Sequence, residues 1–303
     1  MQAHMITPPF LRTGDRIAIV SPARSITFEE VHPAIRILQK WGLEVVLGTH
    51  VFCKSDQYAG PDEQRIADLQ QMLDDDSIRA IFCSRGGYGT VRLIDRLDFT
   101  RFIQQPKWMI GYSDVTVLHC HILMNCGIET LHATMPVNIR DGMPPENLES
   151  LRNVLFGTRI RYLMSPLPLS RNGTGEGVLT GGNLSILYSL MGSISEPDTD
   201  GKILFIEDVD EYLYHIDRMM MTLKRAGKLD HLQGLLVGGM DRMNDNTIPF
   251  GKNAYQIISE AVSEYAYPVC FGFPAGHCDK NLALIMGRKV SMKVEDKAEI
   301  IFS

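Results

Sequence analysis

The residues equipped for chemistry begin with Ser113. It stands in Gly111-Tyr112-Ser113-Asp114, directly after an apolar run and directly before a stretch with helical spacing. A serine at such a junction can occupy a tight strand-to-helix turn, with its hydroxyl exposed and a helix N-terminus behind it that favours negative charge. Gly111 matches the first glycine of the G-x-S-x-G elbow, while Val115 replaces the last. The same serine would also serve as a plain helix N-cap. A second segment, Ser84-Arg85-Gly86-Gly87-Tyr88-Gly89-Thr90, is a glycine-rich turn after a β-rich run. Its backbone N–H groups could cradle an anion. It lacks the Lys-Ser/Thr of a P-loop, and its glycines do not fit G-x-G-x-x-G, so an oxyanion hole suits it better than a nucleotide site.

Two further segments supply a carboxylate and an imidazole. Glu207-Asp208-Val209-Asp210-Glu211 follows an apolar strand and precedes a helix. Such a cluster is favoured by the helix dipole alone, or its first carboxylate could orient a histidine. His277 lies in the glycine-flanked loop Pro274-Ala275-Gly276-His277-Cys278-Asp279. Other groupings are weaker. His119 and His121 fall on opposite sides of a helix and form no pair. Glu211 and His215 are four apart and could share a metal, but no third ligand accompanies them, so no metal is expected. Cys83 and Cys120 lie in apolar elements, where a thiol is inert.

These residues need elements to position them. In the first half, β-rich runs at 16–20, 43–47, 80–83 and 108–111 alternate with helical spacing at 28–41, 62–74, 91–97 and 115–125. That alternation predicts a parallel sheet with helices on both faces, and ligands of such sheets bind at the carboxyl ends of the strands. The expected division is an N-terminal α/β domain over 1–140, a loop-rich linker over 141–177, and a smaller mixed α/β domain over 178–303. The last has strands at 203–206, 234–238 and 289–302, and helices at 184–191, 212–226 and 254–265.

At 303 residues the chain is about twice the usual domain size, which fits two domains. Hydrophobic residues make up 45% and charged residues 22%, so it is neither disordered nor fibrous. Thirty Lys and Arg stand against 36 Asp and Glu, a net charge of −6, which argues against nucleic acid. No apolar run is long enough to span a membrane, and the start lacks a signal-peptide pattern, so the expected location is cytoplasmic. Six scattered cysteines without a C-x-x-C pair fit a reducing compartment.

Taken together, the segments resemble the LD-carboxypeptidase family of serine peptidases, which includes the microcin C immunity peptidases. The resemblance runs from Gly14-Asp15-Arg16-Ile17-Ala18-Ile19-Val20-Ser21-Pro22-Ala23 to the C-terminal strands. It rests on the blocks around Gly86 and Ser113, on Thr180-Gly181-Gly182-Asn183-Leu184, on Leu204-Phe205-Ile206-Glu207-Asp208 and on Gly276-His277. The helix from Tyr214-His215-Ile216-Asp217-Arg218 to Leu223-Lys224-Arg225-Ala226-Gly227 is also similar. One departure is Ile285, in a segment where family members often carry proline.

The resemblance implies an N-terminal sheet of flavodoxin-like or amidotransferase-like type and a Ser-Glu-His triad. Ser113 would be the nucleophile, His277 the base and Glu207 its orienting carboxylate, meeting in a cleft between the halves. The backbone N–H groups of Gly87 and Asp114 are the expected oxyanion donors. Arg85 would hold the substrate's terminal carboxylate, or be a structural ion pair. The implied substrate is a murein tetrapeptide, cut between an L-centre, typically diaminopimelate, and terminal D-alanine. The nearest alternative is an immunity-type peptidase acting on a peptidyl- or aminoacyl-nucleotide. It would want an aromatic platform, and Trp41 and Trp108 sit in a helix and a strand. A non-catalytic binding module on the same scaffold is the alternative of another class. No cofactor, nucleic-acid partner or membrane partner is expected, and a homodimer stays open.

Overall fold

In the first half the apolar runs become β1 (Arg16–Val20), β2 (Glu44–Leu47), β3 (Ile78–Cys83), β4 (Trp108–Gly111) and β5 (Thr130–His132). The helices between them are α1 (Phe28–Lys40), α2 (Asp62–Asp74), α3 (Thr100–Gln104) and α4 (Thr116–Cys126). The second half carries α5 (Pro145–Leu155), β6 (Arg161–Met164), β7 (Gly173–Asn183), α6 (Leu184–Ser189), β8 (Ile203–Val209), α7 (Leu213–Arg225) and β9 (Gly234–Asp241). It ends with α8 (Ala254–Ala261), β10 (Val269–Phe271), β11 (Leu284–Met286), β12 (Lys289–Val294) and β13 (Ala298–Phe302). These assignments come from a computed structural model that describes residues 5–303. The first four residues of the segment read for a signal peptide lie outside the described residues.

Local chemistry explains the elements. Thr27 accepts the N–H of Glu30, and Glu30 accepts the N–H of Thr27, closing a capping box at the start of α1. The helix then buries Val31, Ala34 and Leu38, one face at helical spacing. At the end of α2, the buried ammonium of Lys107 donates to the carbonyls of Met72, Leu73 and Asp75, satisfying groups the helix leaves open. The stretch read as helical at 91–97 is two short 3₁₀ turns, Thr90–Arg92 and Ile94–Arg96.

Two sheets result. The first has the order β11-β5-β4-β3-β1-β2. Its five N-terminal strands are parallel in the flavodoxin-like arrangement, whose topological switch point lies between β1 and β3. The second sheet has the order β10-β9-β8-β7-β12-β13-β6. Strands β7 to β10 are parallel, while β7, β12, β13 and β6 are antiparallel.

The segment 141–177 is not a bare linker. It contains α5, β6 and the first part of β7. Pro145 marked a loop in the sequence, but it opens α5, where proline is well tolerated. Gly175 is strand glycine: a Cβ there would meet the carbonyl oxygen of Gln233 at 1.8 Å. Nor do the halves keep separate sheets, because β11 pairs antiparallel with β5 and completes the first one. Ile285, at the departure from the family pattern, sits opposite Leu131 in that pairing.

Two apolar clusters fill the interior, and each draws on both halves. Val115, Leu118 and Ile122 share one with Leu184, Leu204 and Ile206. Ile110 and Leu131 share the other with Phe205 and Leu284. Helix α4 is packed beneath β7, where the N–H of Asn183 donates to Thr116 Oγ1 at 3.0 Å.

Candidate active site

Ser113 opens a single 3₁₀ turn, Ser113–Val115, that joins β4 to α4. Its φ is 65°, a left-handed conformation that costs a side-chain-bearing residue about 1–2 kcal/mol. Neither this turn nor α4 has a side-chain cap, so Ser113 is not an N-cap. The flanking glycines have steric reasons. A Cβ on Gly86 would lie 2.9 Å from Ser113 Cβ, and one on Gly111 would lie 2.8 Å from Val115 Cγ2. Val115 thus occupies the space that a Cβ on Gly111 would need.

Glu207 stands where the β8–β9 register shifts between Ile206 and Asp208, so that it faces the extra residue of β9, Gly238 and Gly239 together. It is fully buried. One of its oxygens, Oε2, accepts both the backbone N–H of His277 at 3.1 Å and its ring Nδ1 at 2.7 Å. The other, Oε1, has no partner among the described residues. A carboxylate on Nδ1 places the proton there and leaves Nε2 as the free acceptor. The loop carrying His277 fits tightly around the carboxylate. Gly276 has φ 96°, and a Cβ on it would come within 2.4 Å of Glu207 Oε2. Its N–H is held by Asn281 Oδ1 at 2.9 Å. The ring of Tyr112 packs edge-on against the imidazole, with centroids 4.9 Å apart.

Burial opposes protonation of His277, but the charge and hydrogen bond of Glu207 outweigh it and raise the pKa above its ordinary value. Asp208, next along the strand, is pushed up to about 7 by burial and by the Glu207 charge. It accepts hydrogen bonds from Asn183 Nδ2 and the N–H groups of Ser185 and Val209.

Ser113 and His277 line one cavity of about 740 Å³ at the carboxyl ends of both sheets' strands. No hydrogen bond joins them among the described residues, a looseness common before substrate binds. Gly87 and Asp114 line the same cavity. No loop, turn or side-chain acceptor among the described residues takes either backbone N–H. The Asp114 carboxylate is buried and holds the N–H of Thr90 at 2.9 Å, tying the serine turn to the glycine-rich turn. Arg85 also lines the cavity, and its one side-chain partner among the described residues is Glu30, at a long 3.5 Å.

Sequence reasoning missed Arg24, Arg140 and Arg242, which line the cavity as well. Arg24 had a signal: it follows β1 beside the switch point. Its aliphatic stem fills the space where a Cβ on Gly87 would be, 2.1 Å from Cδ. The other groupings lie elsewhere or pair internally. His119 binds the carbonyl of Gly111, and His121 binds Ser195. His215 and Glu211 bind each other at 2.6 Å. Among the described residues no cluster of three His, Cys, Asp or Glu side chains could hold a metal. Cys83 and Cys120 are buried, and burial raises both thiol pKa values. Trp108 is buried with its Nε1 donating to the carbonyl of Pro9, and Trp41 packs on Phe156.

Comparison with known proteins decides the family. The LD-carboxypeptidase N-terminal domain matches residues 17–133, and the LD-carboxypeptidase C-terminal domain matches residues 176–292. The chain belongs to the LD-carboxypeptidase family. A Bacillus subtilis (strain 168) relative named probable murein peptide carboxypeptidase is 35% identical over 303 residues, covering 97% of this chain and 93% of the relative. The crystal structure of muramoyltetrapeptide carboxypeptidase from Oxalobacter formigenes superposes with a TM-score of 0.86 at 25% identity, over 95% of this chain and 98% of that one. The structure of MccF in complex with glutamyl sulfamoyl guanosine gives 0.87 at 24% identity, over 99% of both chains, and so shares the fold. The LD-carboxypeptidase assignment makes this chain a peptidase. No described helix is long and apolar enough to cross a membrane.

Proposed function

We propose that the chain is a serine carboxypeptidase that hydrolyses the amide bond between an L-centre and the terminal D-alanine of murein tetrapeptides. The observation that carries this reading is the 2.7 Å bond from His277 Nδ1 to Glu207 Oε2, on a ring that shares its cavity with the left-handed Ser113. A binding module has no need to bury a carboxylate behind a histidine in this way.

In the mechanism, His277 Nε2 accepts the Ser113 proton as Oγ attacks the carbonyl of the L-centre. Glu207 holds the tautomer and stabilises the imidazolium. The N–H groups of Gly87 and Asp114 receive the oxyanion. The tetrahedral intermediate collapses as His277 passes its proton to the departing amine of D-alanine. Water then enters by the same base and releases the peptide from Ser113. Arg85, with Arg24 beside it, supplies positive charge for the carboxylate of the leaving residue. The alternative substrate, an aminoacyl-nucleotide, finds little to stack on: Tyr112 is the one aromatic among the described lining residues other than His277.

The test is incubation of purified protein with a murein tetrapeptide and, separately, with an aminoacyl-nucleotide analogue, followed by mass spectrometry of the products. Release of D-alanine from the tetrapeptide is expected. Ser113→Ala should stay folded and lose about 10⁴–10⁶ in rate, because triad members act as a unit. Retention of more than about a tenth of wild-type turnover would rule out covalent serine catalysis.

A further inference from the structure

His277 sits in a stretch, residues 272–283, that runs between β10 and β11 with neither helix nor strand. Its backbone groups need partners that no sheet supplies. Some are met beside the triad: the N–H of His277 donates to Glu207, and the carbonyl of Ala275 accepts the N–H of Gly239 at 3.0 Å. A second set of partners comes from α5, in the segment that the sequence marks as a linker. Asn147 Nδ2 donates to the carbonyl of Asp279 at 2.9 Å, and Asn147 Oδ1 accepts the N–H of Asn281 at 2.8 Å. One side chain thus grips the loop backbone at two points, as a neighbouring strand would. One turn along the same helix face, Ser150 Oγ accepts the N–H of Ala283 at 3.1 Å.

The grip is passed on towards the imidazole. Asn281, whose own N–H is fixed by Asn147, turns its Oδ1 to the N–H of Gly276, the residue before His277. A continuous path therefore runs from Asn147 through Asn281 and Gly276 to His277 and Glu207. Asn147 is 3% exposed and Asn281 4%, so water does not compete for these bonds. The ion pair of Lys280 with Glu146 joins the same loop and helix at the surface, where such pairs contribute little. Neither asparagine lines the cavity that holds Ser113 and His277; both line an adjoining one of about 470 Å³.

We infer that Asn147 is a positioning residue for His277: acting through Asn281, it fixes the loop so that the imidazole meets Glu207. For turnover this rests on the hydrolase reading above, while the state of the ring can be read without turnover. A loosened loop would lengthen the bond to Glu207, and a displacement of about 1 Å at a reacting group costs on the order of 100-fold. The charges acting on the ring are those of Glu207 and Asp208 on β8, which raise its pKa, and of Arg242 after β9, which lowers it. Weakening the Glu207 contact lets burial prevail and lowers the pKa.

Asn147→Ala and Asn281→Ala each cut one link of the path. Each should lower kcat on the murein tetrapeptide at least tenfold with KM changed by less than about twofold. Each should also move the acid limb of the rate profile, and the pKa of the His277 ring titrated by NMR, to lower pH. The double variant should lose no more than the weaker single one, because both act on one path. Ser150→Ala is the control: it removes the neighbouring contact of α5 and should lower Tm while leaving kcat and the ring pKa unchanged. Asn147→Ser, polar but too short to reach both partners, replaces the alanine variant if that does not fold, with the same expectation. A lower Tm with kcat and ring pKa at wild-type values overturns the proposal. So does a raised KM at unchanged kcat, which would make Asn147 a substrate contact. If the wild type cleaves no tetrapeptide, the hydrolase reading fails, and the ring titration alone decides the role of Asn147.

Discussion

His277 is held by a single oxygen of a fully buried carboxylate, and this sets how the site responds to pH. In the proposed mechanism His277 works as a base only when neutral, so kcat/KM should fall as pH drops through its raised pKa, above the ordinary value near 6.5. The linked stability runs the other way. The raised value means that His277 binds its proton more tightly in the folded state, so its stabilising contribution is complete below the unfolded pKa and fades as pH rises through the folded one. Glu207→Gln keeps the shape and removes the charge that raises the pKa. Its activity should be much reduced, and the acid limb of the residual rate should move to lower pH. A pH–rate profile of the two proteins checks this, and an unmoved limb would mean that another group controls it.

The elements around the site are short loops held by contacts that only glycine permits. Gly276 is the sharpest case, because its missing Cβ is the space that Glu207 Oε2 occupies. Gly276→Ala should push the histidine loop off the carboxylate. A displacement of about 1 Å at a catalytic group costs on the order of 100-fold, so kcat should drop by at least that much. Gly127 supplies the contrast. It ends α4 with φ 65°, and a Cβ there meets nothing within 4 Å. Gly127→Ala should lower stability by about 1 kcal/mol through backbone strain and leave kcat unchanged. Thermal melts and steady-state rates on the two variants separate the effects.

At the scale of the whole molecule, the halves are joined by more than a chain crossing. Strand β11 comes from the second half, yet it pairs with β5 of the first sheet. Nearby, Arg288 grips Glu129 with two bonds, Nε to Oε1 at 2.6 Å and Nη2 to Oε2 at 2.5 Å. The Glu129 carboxylate is only 4% exposed. Removing one partner strands a buried charge, so Arg288→Ala should cost about 3 kcal/mol in urea unfolding. The double variant Arg288→Met with Glu129→Gln should recover most of that loss, because neither charge is then left buried. Equal losses in both variants would mean that the pair contributes packing alone.

The sequence by itself determined the parallel first sheet, since apolar runs alternating with helical spacing leave few other ways to bury both. It also placed Ser113 at a strand–helix junction, Glu207 after an apolar strand and His277 in a glycine-flanked loop, because glycines and apolar strands mark where turns must fall. That the three should meet came only from the family resemblance. What it left open was decided by long-range contacts. Helix α5 and the first part of β7 read as loop, since proline and glycine signal turns locally, whereas Pro145 starts a helix and Gly175 admits a neighbouring carbonyl. The short strands β5 and β11 are too brief for a periodic pattern and form only against each other and the sheet. Arg24, Arg140, Arg242 and Asp210 reach one cavity because strand ends from two sheets converge there. No spacing along the chain encodes that convergence, which arises when two apolar clusters, each built from both halves, close over one another.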